Sequence, residues 1–342
     1  MSSKKPTIYD IAKITGFSPA TVSRALNHPE MVSTRTLNAI HKVIGAENFH
    51  KRDYRTPGNH LTGSLTGTYL LSIPSPGNPF YGQIIEGAQS AASLHGCTLL
   101  ICYSMYLERS TQGMSLPADL SQYDGLILMS GFDSLQISHL SEQLPVIECS
   151  EYNEEIDTVS CVSIDDRASI RKAVEYLYST GHRQIAYISC PAQMNYAGRR
   201  LEGFRSACKD FSVPLSPSGI VILPQTGFAA AHSAALRLLA GTSRPDSVLC
   251  SSDIYAIACL KAAFELGIRV PDDLSIIGFD DIPQTTMTQL SVTTIRQPRF
   301  QLGYSAFETL YEEVQNPGKR KQKIFLPTEL IIRETTGIRR PS

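Results

Sequence analysis

The sequence predicts a mixed α/β protein in which an all-helical N-terminal unit precedes a larger unit built on parallel sheets. Three helical patterns fill the first fifty residues. From residue 69 onward, short apolar runs alternate with helical segments, as they do in βαβ units. The chain of 342 residues also exceeds the roughly 100–200 residues of a usual domain, so more than one folded unit is expected.

The charge distribution separates the same two units. Residues 1–61 contain nine of the 31 Lys and Arg residues but only four of the 32 Asp and Glu residues. The first part therefore carries a formal charge of +5, and the remainder carries −6. A small basic unit ahead of a larger acidic one indicates that the first contacts a polyanion, although a solvated charged face explains the charge alone equally well.

Composition and motifs exclude several classes of protein. The chain has no apolar run of about 18 residues and no signal-peptide core, so we expect a cytoplasmic protein without a membrane partner. Its eight cysteines form no C-x-x-C pair, which predicts reduced and mostly buried thiols. No G-x-G-x-x-G follows the first predicted strand, and neither a phosphate loop nor G-x-S-x-G occurs. The sequence therefore predicts no catalytic residue, no cofactor and no metal site.

The sequence of the N-terminal unit predicts three short helices, each with its own start signal. Thr7 caps the first helix, and its apolar face is formed by Ile8, Ile11, Ala12 and Ile14. Gly16 ends this helix, Ser18 caps a second helix with Pro19 in its first turn, and Ser33 caps a third. Two short helices joined by a glycine-containing turn, with a third packed across them, form a helix-turn-helix unit.

The second predicted helix carries the residue types that DNA recognition needs. Its exposed side begins with the small residues Pro19 and Ala20, which let the backbone approach DNA closely. Arg24, one turn later, can donate two hydrogen bonds to a guanine. Side chains suited to phosphate contacts follow on the same helix: Thr21, Ser23 and Asn27. An ordinary amphipathic helix is the competing interpretation, and the cap, the turn and the basic charge together favour DNA binding.

The string T-I-Y-D-I-A-x-x-T-G-F-S-x-x-T-V-S-R-A-L-N, at residues 7–27, resembles the headpiece of the LacI/GalR family of bacterial transcription regulators. V-S-x-x-T at 32–36 continues the resemblance. The resemblance implies that Pro19 and Ala20 read bases and that Arg24 is the shared reader. It places near phosphates the residues Tyr9, Thr21, Ser23, Asn27, Ser33 and Thr36, and Ser18 is a further DNA-binding candidate.

The segment after residue 49 departs from the family pattern. The family usually has P-N-x-x-A-R-x-L there, a hinge helix whose leucine enters the minor groove, whereas this chain has H-K-R-D-Y-R-T-P-G-N-H-L. Pro57 and Gly58 break a helix at that point, and Leu61 comes three residues late for the wedge. We therefore expect a flexible linker that holds phosphates through Lys51, Arg52 and Arg55.

The larger unit predicts parallel sheets. Apolar runs predict strands at 69–73, 98–102, 125–129, 145–149, 184–188, 219–223, 247–250 and 274–279. Helices are predicted between most of them, for example at 81–95, 167–180, 200–210 and 254–266. Strands that are buried on both sides and separated by helices favour parallel pairing. About six strands in each of two sheets, with a cleft between the sheets, would suit a unit of this length.

Several strings in this unit also resemble the family's effector domain, among them N-P-F-Y at 78–81, R-L-E-G-F at 200–204 and V-P-D-D-L-S-I-I-G-F-D-D-I at 270–282. The resemblance implies the fold of periplasmic sugar-binding proteins, in which the chain crosses between two lobes three times. The implied crossings lie near 163–166, 291–295 and 323–326. The implied domains are a helix-turn-helix headpiece at 1–50, a linker at 51–68, and an effector-binding and dimerisation domain at 69–342. Within the last domain, lobe 1 comprises about 69–163 and 294–323, and lobe 2 about 164–292 and 325–340.

The position of ligands in such folds, beyond the carboxyl ends of the strands, selects the effector-site candidates. These candidates are Phe80, Tyr81, Tyr196, Arg200, Phe228, Ser252, Asp253 and Asp280. Aromatic rings offer stacking faces, and an arginine with an aspartate can hold vicinal hydroxyls. The resemblance singles out Arg200 and Asp280. Core packing is the competing interpretation for each aromatic residue, and Asp165 and Asp253 suit helix caps equally well.

Finer details resemble the nucleoside-responsive branch of the family, the cytidine repressor. The shared strings include A-T-V-S-R-A-L at 20–26 and E-Y-L-Y-x-x-G-H at 175–182, and Met194 stands where a purine-binding member would have an arginine. The sequence thus predicts a repressor that binds a palindromic operator in double-stranded DNA as a homodimer, controlled by a small polar effector, a nucleoside or a sugar. The alternative is a soluble nucleoside- or sugar-binding protein without a DNA role. The atypical linker leaves a co-regulator protein as a further expected partner.

Overall fold

The computed structural model describes residues 8–27, 32–33, 35–37, 39–40, 43, 67–103, 116, 119–129, 132–192, 194–241 and 244–339. Lys51, Arg52 and Arg55 of the predicted linker lie outside these residues. Within the described part of the chain, no helix combines the length and the apolar character that crossing a bilayer requires. All eight cysteines are free thiols, and all but Cys102 are buried.

The headpiece begins with helices α1 (Ile8–Thr15) and α2 (Pro19–Asn27), joined by a turn at Gly16 in a left-handed backbone conformation. Ser18 caps α2 by accepting a hydrogen bond from the Thr21 backbone at 3.1 Å. A small core is formed by Ala12, Val22, Ala25 and Ile40. Ile14 was expected to share this core, but it is 55% exposed, because two residues beyond Ala12 the helix presents its opposite side.

The rest of the chain forms two six-stranded sheets, which confirms the predicted fold class. The first sheet is parallel throughout, in the order β11-β5-β4-β3-β1-β2. Its strands are β1 (Thr68–Ile73), β2 (Thr98–Tyr103), β3 (Gly125–Leu128), β4 (Val146–Cys149), β5 (Ser160–Ile164) and β11 (Lys323–Leu326). The second sheet has the order β12-β10-β9-β8-β6-β7, and its edge strand β12 is antiparallel. Its strands are β6 (Ile185–Ser189), β7 (Ile220–Ile222), β8 (Ser247–Cys250), β9 (Ser275–Asp280), β10 (Thr293–Arg296) and β12 (Glu329–Ile331).

Helices cover the sheets and complete the two lobes. Lobe 1 contains the first sheet with α3 (Phe80–Leu94), α4 (Ser134–Ser141) and α9 (Arg299–Gln315). Lobe 2 contains the second sheet with α5 (Asp166–Ser179), α6 (Asn195–Asp210), α7 (Phe228–Leu239) and α8 (Asp253–Glu265). Short 3-10 turns lie at Leu120–Gln122, Pro217–Gly219 and Pro283–Thr286.

The chain passes between the lobes at residue 165, at 297–298 and at 327–328. The second and third passages come a few residues later than expected. The reason is that β10 still pairs with β9 of lobe 2, and β11 still pairs with β5 of lobe 1. Both strands are short and begin with polar residues, T-T-I-R and K-I-F-L, so neither shows a long apolar run.

Two glycines bring α3 and α9 into backbone contact. A Cβ added to Gly87 would collide with the Phe300 carbonyl oxygen, and one added to Gly303 would collide with the Ile84 carbonyl oxygen. The collisions are reciprocal, so any larger residue at either position would push the two helices apart. This crossing joins the first helix of lobe 1 to the helix that returns from lobe 2.

Candidate functional site

The predicted DNA-contacting residues of the headpiece, as distinct from those of the linker, lie on its helices or at their starts. The hydroxyls of Ser18 and Thr21 are 2.8 Å apart, and those of Ser33 and Thr36 are 2.9 Å apart. Both pairs face solvent, where a phosphate could reach them. Pro19 opens α2. Tyr9, Ala20, Ser23 and Asn27 lie on α1 or α2, and their side chains are outside the described part of the structure.

Arg24 contacts the effector domain. Its guanidinium carbon lies 4.0 Å from the centre of the Phe300 ring, at the start of α9. Burial against this surface lowers the pKa of Arg24, and the charge of Glu86 opposes that shift. In this arrangement Arg24 stacks on a ring of lobe 1, so it must leave that ring before it can reach a base.

A cleft of about 750 Å³ separates the two lobes. It collects seven of the eight effector candidates, namely Phe80, Tyr81, Tyr196, Arg200, Phe228, Ser252 and Asp280. Lobe 1 contributes the loop that follows β1 and the first turn of α3. Lobe 2 contributes the start of α6, the turn before α7, the start of α8 and the end of β9. The carboxyl ends of the strands meet here, as expected for this architecture.

Arg200 is held by a carboxylate on the neighbouring helix. Its Nε donates to Asp166 at 2.7 Å, and its Nη1 donates to the Ser251 carbonyl at 2.7 Å. The guanidinium also lies between two rings, 3.7 Å from the centre of Phe279 and 4.5 Å from that of Tyr196. Burial opposes its charge, but Asp166 and Asp280 outweigh this effect and raise the pKa of Arg200. The arginine is therefore fixed in place before any ligand arrives.

Asp280 ends β9 with a backbone φ of 116°, a conformation that residues other than glycine rarely adopt. Its carboxylate accepts hydrogen bonds from Gln297 at 2.8 Å and from Ser252 at 3.2 Å. Arg200 Nη1 lies 4.0 Å from the same group. Strain of this kind persists where the surroundings enforce it and is frequent at ligand sites.

Asp253 does not reach the cleft, which corrects its prediction as an effector contact. It is fully buried under the second sheet, where it accepts hydrogen bonds from Thr294 Oγ1 at 2.6 Å and from the Ile282 backbone at 2.9 Å. Nor does it cap α8, since Ser252 occupies that position. Its carboxylate instead ties α8 to β10 and to the loop after β9. Asp165, in contrast, caps α5 by accepting from the Ala168 backbone at 2.9 Å.

The cleft is also lined by residues that were not predicted from the sequence, among them Glu151, Tyr255 and Gln297. Gln297 stands directly after β10, so the rule that selected the other candidates would have found it had that strand been recognised. Tyr255 lies on the first turn of α8, on the same side as the cleft. Glu151 follows β4 by two residues, and its hydrogen-bond partner Tyr196 lies on α6.

The carboxyl groups of the cleft titrate near neutral pH. Burial raises the pKa of Glu151 to about 7, although Arg199 opposes the shift. Burial also raises the pKa of Asp280 to about 6, with Arg200 opposing it. The phenols of Tyr81 and Tyr255 have pKa values well above their usual range, because both are buried near these carboxyl groups. The phenols therefore remain protonated and can donate hydrogen bonds.

The chemistry of the cleft favours a neutral ligand with several hydroxyl groups. Among the described residues that line it, Arg200 is the single cation, and protein acceptors already hold it. Carboxylates accept hydrogen bonds from ligand hydroxyls, while the rings of Phe80, Tyr196 and Phe228 offer apolar faces. This combination is typical of sites for sugars and nucleosides.

Comparison with known families divides the chain in the same way. Residues 7–51 match the model of bacterial regulatory proteins of the lacI family. Residues 174–336 match the model of a periplasmic binding protein-like domain. The first match covers the headpiece, and the second covers most of lobe 2 together with the later part of lobe 1.

Individual proteins are similar over nearly the whole length. The transcriptional regulator DegA of Bacillus subtilis is 32% identical over 341 residues, which cover 97% of this chain and 98% of DegA. The transcriptional repressor CytR of Escherichia coli is 31% identical over 333 residues, which cover 96% of each chain. Among solved structures, a LacI family transcriptional regulator from Enterococcus faecium with bound ribose has a TM-score of 0.69 at 26% identity, covering 79% of this chain and 99% of that one.

Proposed function

Because the chain belongs to the lacI family of bacterial regulatory proteins, we propose that it represses transcription from a palindromic operator, as a homodimer controlled by a small polar effector. The chain is a DNA-binding transcriptional regulator and not an enzyme, as its curated relatives are regulators. The alternative of a binding protein without a DNA role is set aside for the same reason. Because it regulates transcription by binding DNA, the protein is proposed to act in the cytoplasm.

In the DNA-bound state, α2 of each headpiece lies in the major groove. Pro19, Ala20 and Arg24 contact bases, with Arg24 released from its ring contact on α9. The exposed hydroxyl pairs of Ser18 with Thr21 and of Ser33 with Thr36 support phosphate contacts. Further phosphate contacts come from Tyr9, Ser23 and Asn27, and from the linker residues Lys51, Arg52 and Arg55. One headpiece contacts too few bases for specificity, so two headpieces read the two halves of the site.

The effector, a nucleoside or a sugar, binds between the lobes. The single observation that carries this proposal is the pairing of Arg200 with Asp280 in the cleft, both buried and both held by neighbouring residues. The ribose bound to the Enterococcus faecium regulator supports this ligand class. An effector that binds the closed lobes better than the open ones shifts their equilibrium and thereby the spacing of the headpieces. Residues 69–342 form the effector-binding and dimerisation domain, residues 1–50 the headpiece, and residues 51–68 the linker. A co-regulator protein is a further partner, because the linker departs from the family's hinge helix.

The DNA half is tested with an operator selected from random sequences by the purified full-length protein. Arg24→Ala should weaken binding by about 1–3 kcal/mol and relax selectivity at one base pair in each half-site. Lys13→Ala, an exposed cation on α1, is the matched control and should leave selectivity unchanged. Affinity that does not fall with added salt would contradict the whole DNA assignment.

The effector half is tested by thermal stability against nucleosides, nucleobases, pentoses, hexoses and their phosphates. A ligand at about 100 times its dissociation constant should add about 2.7 kcal/mol to the free energy of unfolding. Arg200→Lys should remove most of that gain, whereas Arg205→Lys, exposed on the same helix, should retain it. A response restricted to phosphorylated compounds would overturn the ligand class proposed here.

A further inference from the structure

A short segment of lobe 1 reaches across to lobe 2 beside the cleft. It begins at Ser150, directly after β4, where the backbone has a φ of 68°. The Ser150 carbonyl accepts from the Ser163 hydroxyl at 2.6 Å, and its N–H donates to the Val162 carbonyl at 2.8 Å. These bonds to β5 hold the unusual conformation and turn the following residues, 151–154, away from the first sheet.

Glu151 caps a helix of the other lobe. Its Oε1 accepts a hydrogen bond from the Tyr196 backbone N–H at 3.2 Å, in the first turn of α6. Met194, which occupies the N-cap position of α6, makes no capping bond of its own. A carboxylate at a helix N-terminus satisfies backbone donors and interacts favourably with the helix dipole. Lobe 1 thus supplies the cap that the sequence of α6 lacks.

Arg199 makes the second contact across the lobes, one turn further along α6. Its Nη1 donates to the Tyr152 carbonyl at 3.0 Å, and its guanidinium carbon lies 4.0 Å from the centre of the Tyr152 ring. The Tyr152 ring packs edge-on against Phe325 of β11, in lobe 1. Arg199 is 4% exposed, so this contact is made away from water.

A third contact lies at the rim. Arg167 of α5 donates to Glu154 of lobe 1 at 2.7 Å and to Glu202 of α6 at 2.7 Å. All three side chains are substantially exposed, so water screens this bridge and it contributes little. The buried contacts of Glu151 and Arg199 therefore carry most of the interaction.

The same turns of α6 face the cleft. Tyr196 donates its backbone N–H to Glu151 while its ring lines the cleft. Asp166 binds Arg199 through Oδ2 at 3.0 Å and the cleft residue Arg200 through Oδ1 at 2.7 Å. The Asp166 carboxylate thus connects Arg199, which contacts lobe 1, to Arg200, which lines the cleft.

We propose that residues 151–154 are an interlobe clasp that holds the lobes closed on α6 and positions Tyr196 and Arg200 for the effector. The clasp and the effector stabilise the same closed state, so loss of the clasp weakens effector binding even where the altered residue does not touch the ligand. Apparent affinity falls in proportion to the fraction of molecules that are closed. The coupling to the effector rests on the function proposed above, whereas the clasp itself does not.

The clasp is tested in full-length, ligand-free protein by hydrogen exchange with mass spectrometry. Arg199→Lys keeps a cation beside Asp166 but loses the fit to Tyr152, and Tyr152→Leu removes the ring from the other side. Either variant should speed exchange about tenfold in the peptides that span 151–154 and 195–200, with β8 unchanged. Glu155→Gln, exposed in the same loop, is the control and should match the wild type. Unchanged exchange at 195–200, or an equal rise throughout the chain, would overturn the clasp.

The coupling is tested by calorimetric titration with ribose and with cytidine. For whichever compound binds the wild type, Arg199→Lys should weaken affinity at least about fivefold, and Glu155→Gln should leave it unchanged. Equal affinity in Arg199→Lys and wild type would overturn the coupling. Binding of neither compound would count against the proposed effector class, and the exchange experiment would still decide whether the clasp exists.

Discussion

The two walls of the cleft are built differently. On the lobe 2 side, the groups that would recognise a ligand are already fixed, Arg200 by Asp166 and Asp280 by Gln297 and Ser252. On the lobe 1 side, apart from Glu151 and its neighbour Ser150 and from Met129, the wall is formed by the rings of α3 and a partly exposed loop at 74–79. Polar groups that are held in place before binding lose little conformational freedom on binding. The contrast indicates that lobe 2 selects the ligand and that lobe 1 closes over it.

The largest expected effect comes from a substitution that disrupts the lobe 2 wall of the cleft. Asp166→Asn removes the charge that Arg199 and Arg200 share in the interior of lobe 2. Two buried cations would then lose the carboxylate that both bind, and the free energy of unfolding should fall by about 3–5 kcal/mol. Chemical denaturation measures this, with the exposed Asp157→Asn as control. A loss no greater than that of the control would show that lobe 2 is not organised around this carboxylate.

The next effect concerns the interior of lobe 1. Gly87→Ala places a methyl group against the Phe300 carbonyl, so it should destabilise the protein by about 1–3 kcal/mol. Gly82→Ala, on the same helix with open space around it, should instead be neutral or stabilise by up to about 1 kcal/mol. Denaturation of both variants under the same conditions gives the comparison. Equal behaviour of the two would contradict the close crossing of α3 and α9.

The third effect concerns the pH dependence of stability, to which buried carboxyl groups of both lobes contribute. In lobe 1, burial raises the pKa of Glu148 to about 8 and that of Glu308 to about 8, and in lobe 2 the pKa of Asp280 rises to about 6. At these three groups the folded chain binds more protons than the unfolded chain, so their contribution to stability should fall as pH rises from about 4.5 to 8. Glu148→Gln should flatten this dependence and add about 1 kcal/mol or more at pH 8. Thermal unfolding across this range measures the slope of stability against pH for the wild type and for Glu148→Gln. Equal slopes in the two proteins would contradict the raised pKa of Glu148.

The smallest expected effect sharpens the assignment of roles at the cleft. Tyr81→Phe keeps the ring in the lobe 1 wall and removes one hydroxyl, so effector affinity should fall by about 0.5–1.5 kcal/mol. Ser252→Ala, in lobe 2, removes a hydrogen bond that orients Asp280 and should weaken affinity by a similar or larger amount. Calorimetry with the effector found by thermal stability compares them. A larger loss from Tyr81→Phe would reverse the roles of the two walls.

The sequence predicted those parts of the molecule whose signals are local. Long apolar runs marked the strands, and the capping residues Ser18 and Ser33 marked helix starts that the structure contains. Strands β5, β10, β11 and β12 were not recognised, because polar residues leave them only short apolar runs. The start of α6 lies five residues before the predicted one, because its cap comes from another part of the chain.

For the candidate site too, the sequence predicted features with local signals and missed those that depend on distant contacts. Its members at strand ends could be predicted from position alone, since parallel strands place their carboxyl ends together. Glu151 was missed because its partner Tyr196 lies 45 residues away. Asp253 was misassigned to the effector site because it follows the predicted strand at 247–250, while its actual partner Thr294 lies 41 residues away. Interactions at such separations depend on the packing of the lobes, which no local pattern reports.

The glycine crossing of α3 and α9 also determines how movement passes through the molecule. α3 begins at the cleft with Phe80, and α9 begins directly after the second passage between the lobes. Because their backbones touch, neither helix can slide against the other to absorb a displacement. A displacement of α9 at the passage between the lobes is therefore passed on to α3 within lobe 1, whose first strand begins at Thr68. Any rotation of lobe 1 also moves Thr68, and with it the point at which the chain enters this lobe from the headpiece.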